Sequence, residues 1–327
     1  MKYLALDFHF SVQSQAHFPL YTGSMLRGAF GNSLRHAVCM MKGKNCADCM
    51  LAASCIFPRL FTATARVQNC HAAPLAAPPF CIEPPLDGVC DLACGAPFSF
   101  RLKLFSYAVD YLPYFVHAFK LAGQRGMGQN AKEGQGKMAL VDVCQDGRSL
   151  YDADSERLTP AREDMLPVPA LDADATPATL RLELLTPLRF KQANRLSTNL
   201  DFAMLIRLIL RRLSSLQALE GQDFRLPVDD FAALQKASAA MRTLSTDLRW
   251  RDWRRYSGRQ DTAMQLGGLV GSVRYAGPAA TFARYFQFAS AAHLGKQTSF
   301  GLGAMTVSWE EDGVQGDIFA RQTLQGS

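Results

Sequence analysis

The sequence predicts an α+β protein built from two tandem domains, each with a βαββαβ-like order of elements. Three observations predict it. Segments in which apolar side chains alternate at period two recur along the 327 residues. Apolar stripes at helical spacing stand between them. Each half also closes alike, with a helix, a glycine-bearing loop and a final strand. A 48% hydrophobic and 20% charged composition supplies one large or two medium cores.

The first element is a half-buried strand over residues 3–12, with Leu4, Leu6, Phe8 and Phe10 on one face. A helix follows over 24–40, with Leu26, Phe30 and Leu34 inward. Residues 42–95 lose all periodicity and carry cysteines and Pro74, Pro78, Pro79, Pro84 and Pro85, so they read as an insertion. A strand over 98–106, a helix over 111–121, glycines at 123, 126 and 128 and a strand over 137–143 complete the half. The Asp-, Ala- and Pro-rich stretch 152–176 is a linker. The domains are therefore 1–150 and 179–327, joined by 151–178.

The second half offers a strand over 179–185, helices over 202–219 and 231–244, and a strand over 267–275. A helix over 279–292, a glycine-rich loop over 295–303 and a strand over 304–309 end it. With the second strand of each half poorly defined, the order is that of a ferredoxin-like sheet with helices on one face.

No window holds the roughly 18 apolar residues that cross a bilayer. The N-terminal segment alternates where an export signal would be continuously apolar, so the expected location is the cytoplasm, away from membranes. Nine cysteines, an odd number in a long chain, favour reduced thiols or metal ligands over disulfides. The net charge is +6, but residues 249–259 hold five arginines against one aspartate, which suits a polyanion.

Between a helix and a strand, His293-Leu-Gly-Lys-Gln-Thr-Ser-Phe-Gly-Leu-Gly303 combines Gly295, Gly301 and Gly303 with Lys296. Glycines let backbone N–H groups converge on a phosphate, and the lysine adds a charge. The alternative is a tight turn that needs positive φ. The order does not align with a Walker A loop, which argues against that class of NTPase. Upstream, Arg249, Arg251, Arg254, Arg255 and Arg259 interleave with Trp250, Trp253 and Tyr256. Bases stack on such rings while guanidinium groups hold phosphates, the alternative being a solvated face. Arg207 and Arg211 face outward on the 202–219 helix, and Arg27, Arg35 and the flanking His36 do so on the first.

Cys39, Cys46, Cys49 and Cys55 form C-x6-C-x2-C-x5-C, four thiols that suit one structural Zn²⁺. Buried reduced thiols and an iron–sulfur cluster are the alternatives. Of the six histidines, His36 and His293 sit beside basic or glycine-rich segments. No paired carboxylates or H-x-x-x-H spacing favour metal-dependent chemistry, so no cofactor is expected for catalysis.

Leu26-Arg-Gly-Ala-Phe-Gly, Cys46-x-x-Cys49, Cys55-Ile-Phe-Pro-Arg-Leu-Phe61, Arg255-Tyr-Ser-Gly-Arg-Gln260, Leu266-Gly-Gly-Leu-Val-Gly271 and the loop from His293 to Gly303 together resemble the CRISPR-associated repeat-RNA-processing endoribonucleases of the RAMP superfamily. The resemblance covers most of the chain and is densest over 250–305. It implies two ferredoxin-like domains, and metal-free cutting of precursor CRISPR RNA within its repeats to give guide RNA. In that reaction the ribose 2′-OH attacks the adjacent phosphate, leaving a 2′,3′-cyclic phosphate and a 5′-OH. His36 and His293 are equal candidates for acid–base work, with Tyr256 and Lys296 assisting. A guide-RNA-binding RAMP subunit that contacts other effector-complex subunits without cutting is the alternative.

Overall fold

The computed structural model describes every residue except 62–76, 173–177, 223–225, 253, 258–261, 312–313 and 317–327. For 254–257, 262–265, 311 and 314–316 it describes backbone alone. The chain forms two compact units. The first holds Met1–Leu166 with Ser215–Asp223 and Ser299–Gly301; the second holds Pro167–Ser214, Phe224–Thr298 and Leu302–Ser327.

In the first unit, strand β1 (Lys2–Val12) buries Leu4, Leu6, Phe8, Phe10 and Val12, as its alternation requires. Helices α1 (Gly23–Val38) and α2 (Ile56–Phe61) follow, then β2 (Phe80–Glu83), β3 (Pro97–Phe105), α3 (Leu112–Arg125) and β4 (Met138–Gln145). The sheet runs β2-β3-β1-β4, antiparallel throughout, with Phe8 opposite Phe100 on one side and Val143 on the other. This is the ferredoxin-like order. Phe30 of α1 stacks on Phe115 and Phe119 of α3, centroids 4.6 and 5.1 Å apart, and Phe119 meets Phe8 and Phe100 at 5.3 and 4.7 Å. Both helices thus lie on one face of the sheet. Each ring pair adds about 0.5–1.5 kcal/mol beyond its buried area.

Two sequence expectations change here. The stretch read as an insertion contains the missing second strand: Phe80-Cys-Ile-Glu pairs with β3, Phe80 opposite Leu104. Its first three residues are buried and prolines bracket it, so it never alternates. The stretch read as a linker also carries structure of the first unit. Asp164–Met165 pairs with β1, and Leu166 donates its N–H to the Met1 carbonyl.

The second unit repeats the plan with β5 (Thr179–Leu188), α4 (Phe202–Gln217), α5 (Val228–Ala239), β6 (Arg242–Arg251), the hairpin β7 (Arg254–Ser257) and β8 (Thr262–Gln265), β9 (Gly268–Ala276), α6 (Ala283–Ala292), β10 (Met305–Glu311) and β11 (Val314–Gly316). The sheet runs β6-β9-β5-β10-β11. Phe202 packs between Tyr275 and Phe282 at 5.2 and 4.8 Å, and Leu205, Ile209 and Leu213 form the buried stripe of α4. The helix expected over 231–244 ends at Ala239, and the start of the arginine cluster is an edge strand. Arg-Thr-Leu-Ser-Thr-Asp-Leu-Arg-Trp-Arg has no buried face, hence no period-two signal. Among the described residues no helix is long and apolar enough to cross a membrane.

Candidate functional site

In the first unit the site is built on α1. Its apolar stripe is buried, so the polar residues of the last turn are held outward, and Arg35 and His36 are both exposed there. The Arg35 guanidinium at this end faces the negative pole of the helix dipole. Arg35 donates through Nη2 to the Lys44 carbonyl at 3.2 Å, and its guanidinium lies 5.9 Å from the Phe57 ring.

Arg27, expected to hold RNA, is instead committed within the protein. Its Nε donates to Ser299 Oγ at 3.0 Å, and its guanidinium lies 4.9 Å from the Phe61 ring and 4.7 Å from the Phe300 ring. The Tyr21 hydroxyl donates to the Phe300 carbonyl at 2.5 Å, and burial raises its pKa. Gly301, also expected at the RNA, is buried at φ +86, and a Cβ there would overlap the Ile82 carbonyl oxygen.

The rest of the glycine loop belongs to the second unit. Leu294 N–H donates to the Gly303 carbonyl at 3.1 Å, Lys296 N–H to Arg189 at 2.7 Å and Gly303 N–H to Pro187 at 3.2 Å. These donors are used by the fold and do not point at an anion; for Gly303, buried at φ +74 against the Leu294 carbonyl, the tight-turn reading holds. Gly295 is half-buried at φ +82, and only the Lys296 side chain of the loop's basic set is exposed. His293 has 0% of its surface exposed, takes φ +58 at the end of α6, and its Nδ1 lies 3.3 Å from the Leu302 carbonyl. In this conformation it cannot reach a phosphodiester.

Arg207 and Arg211 are exposed on α4. Arg249 and Arg251 are exposed on one face of β6; Trp250 lies between them and donates Nε1 to Asp252 Oδ1 at 3.0 Å. The side chains of Arg254, Arg255 and Tyr256, and all of Trp253 and Arg259, lie outside the described residues. One residue passed over in the sequence is Arg212, buried and donating Nε to the Ala292 carbonyl at 2.9 Å. It stands seven residues after Leu205, on the apolar stripe, and that spacing was the available signal.

Cys39, Cys46, Cys49 and Cys55 line one pocket. Among the described residues no three His, Cys, Asp or Glu side chains are already gathered at metal-holding distance.

Residues 182–305 match the family model of the CRISPR-associated endoribonuclease Cas6, and residues 1–163 match a family described as an N-terminal domain. Among solved structures, a Cas6 product complex superposes with TM-score 0.53 at 17% identity, covering 94% of this chain and 100% of that one. A chain of a partial Cas6-RT-Cas1–Cas2 complex gives TM-score 0.53 at 13% identity over 96% of this chain, which spans 48% of that one. At such identities the likeness speaks for the fold. No curated protein matches the sequence.

Proposed function

We propose that this chain, whose residues 182–305 match the Cas6 endoribonuclease model, is a Cas6-like protein of the RAMP superfamily that cuts precursor CRISPR RNA within each repeat to release guide RNA. The observation that carries the reading is the exposed His36 beside exposed Arg35 at the end of α1.

In the proposed step, a neutral His36 takes the proton of the ribose 2′-OH. The freed oxygen bonds to the adjacent phosphorus and the bond to the 5′-oxygen breaks. That oxygen collects a proton, leaving a 2′,3′-cyclic phosphate and a 5′-OH. Arg35 beside His36 supplies positive charge where the phosphorane gathers negative charge. His293 is withdrawn from the acid–base pair by its burial. Tyr256 remains a candidate for the acid. Arg207, Arg211, Arg249, Arg251 and Lys296, all exposed, hold the RNA backbone, with Arg254, Arg255 and Arg259 completing the basic run. No step calls for a metal ion.

Incubating the full chain with repeat RNA in EDTA tests this. One cut per repeat, ending in a cyclic phosphate and lost in His36→Ala, is expected. Binding without cutting at saturating protein would assign the chain to the guide-RNA-binding subunits instead.

A further inference from the structure

The segment from Met40 to Ser54 has no buried residue. Met40 and Met50 are 81% and 83% exposed, so hydrophobic burial does not hold this stretch. It is nonetheless a succession of defined turns. Cys39 ends α1 by donating its N–H to the Arg35 carbonyl. Cys46–Asp48 is a single 3-10 turn in which Asn45 Oδ1 accepts from Ala47 N–H, and Cys55 N–H donates to Leu51. Within residues 40–54 the least exposed are Met41, Cys46, Cys49 and Ala52. While nearly everything else points to solvent, the cysteines turn inward, and with the flanking Cys39 and Cys55 they line one cavity. A segment with so little buried apolar surface is the kind that a cross-link or a metal holds in place, and all four thiols are free of disulfides.

We propose that Cys39, Cys46, Cys49 and Cys55 bind one Zn²⁺ as a structural site of four thiolates. Binding releases four thiol protons to solvent and forms four zinc–sulfur bonds, with no change of oxidation state. The Cys46-x-x-Cys49 turn supplies two ligands from one tight loop, as structural zinc sites do. A zinc with four thiolates carries two net negative charges, and the cavity wall includes two cations, Arg35 and Lys44. The sulfurs line the cavity without yet converging, so metal binding draws the 39–55 segment inward. Its effect would be to clamp the end of α1 to the start of α2.

The site is independent of whether the chain cuts RNA, and its test does not use cleavage. Metal content of the purified full chain is measured by mass spectrometry. About one zinc per chain is expected, falling to background in Cys46→Ser/Cys49→Ser. Should that variant fail to fold, the wild-type protein is stripped with a chelator. Proteolysis within residues 40–54 should then quicken, and added Zn²⁺ should restore protection. A chain purified without metal that takes up none on titration, iron with acid-labile sulfide in place of zinc, or a proteolysis rate indifferent to zinc would each overturn the proposal.

Discussion

Replacing Arg27 with alanine separates two roles that one arginine can play. If its guanidinium is committed as described, Arg27→Ala removes two ring contacts, at 4.9 and 4.7 Å, and a charged hydrogen bond of 3.0 Å to Ser299. Each ring contact at a half-buried site is worth about 0.5–1 kcal/mol, and the charged hydrogen bond about 1.5 kcal/mol. The expected loss of stability is therefore about 2–4 kcal/mol. Urea unfolding of the first unit measures it, as a lower midpoint at unchanged slope. Far-UV circular dichroism is the suitable probe, because Trp250, Trp253 and Trp309 all lie in the second half of the chain. Arg27→Lys should lose most of the same stability, since an ammonium group cannot stack between two rings as a planar guanidinium does. The RNA side is read from the dependence of binding on salt. A lost phosphate contact reduces the slope by about one, whereas loss of Arg27 should leave the slope as it is. An Arg27→Ala protein that unfolds at the wild-type midpoint while its salt slope falls by one would refute the assignment.

The other predictions concern single atoms or protons. His36→Ala should lower single-turnover cleavage about 10²- to 10⁴-fold with RNA affinity little changed, the range for loss of a general base; an unaffected rate removes His36 from the chemistry. His293→Ala should lower the melting temperature by several degrees, because a buried ring is lost, and leave cutting intact at permissive temperature. Abolished cutting in a fully folded His293→Ala protein would restore it as a catalytic residue. Gly303→Ala places a methyl against the Leu294 carbonyl at φ +74, so a loss of at least about 2 kcal/mol in thermal unfolding is expected, and a neutral outcome would mean that the loop rearranges freely. On the alkaline side, burial and then the hydrogen bond to Asp142 raise the Cys144 thiol from 9.0 to about 11. The folded chain holds this proton more tightly than the unfolded one, so the stabilisation is complete below about pH 9 and fades as pH rises toward 11. Cys144→Ser should flatten that limb of the stability–pH curve, and an identical limb would assign it to other groups.

Elements with a clean period were legible in the sequence. Alternation placed β1, β3, β4, β5 and β10, and the stripes of Leu26 and Phe30 and of Leu205 and Ile209 placed α1 and α4. Elements without a period were not. Phe80–Glu83 is too short and too buried to alternate, and Arg242–Arg251 buries no face, yet each completes its sheet through backbone pairing. The site was legible in type more than in role. Basic and glycine-rich residues were located, but whether an arginine meets RNA or a phenylalanine depends on residues such as Phe300, 273 positions away from Arg27. His293 and His36 both stand near cationic groups in the sequence, and only packing separates the exposed ring from the buried one.

The inclusion of Ser299–Gly301 in the first unit bears on the order in which the chain acquires its shape. Synthesis runs from the N-terminus, and β1, α1 and the rest of that sheet emerge long before residue 299 does. Until then the Tyr21 hydroxyl lacks the Phe300 carbonyl, and Arg27 lacks the Phe300 ring and the Ser299 hydroxyl. The unit that begins first is therefore completed late, after most of the second unit has been synthesised. A fragment ending at Leu166 should for the same reason be less stable than its own hydrophobic core would suggest, and adding a peptide that spans Thr298 to Leu302 is a direct way to supply what it lacks.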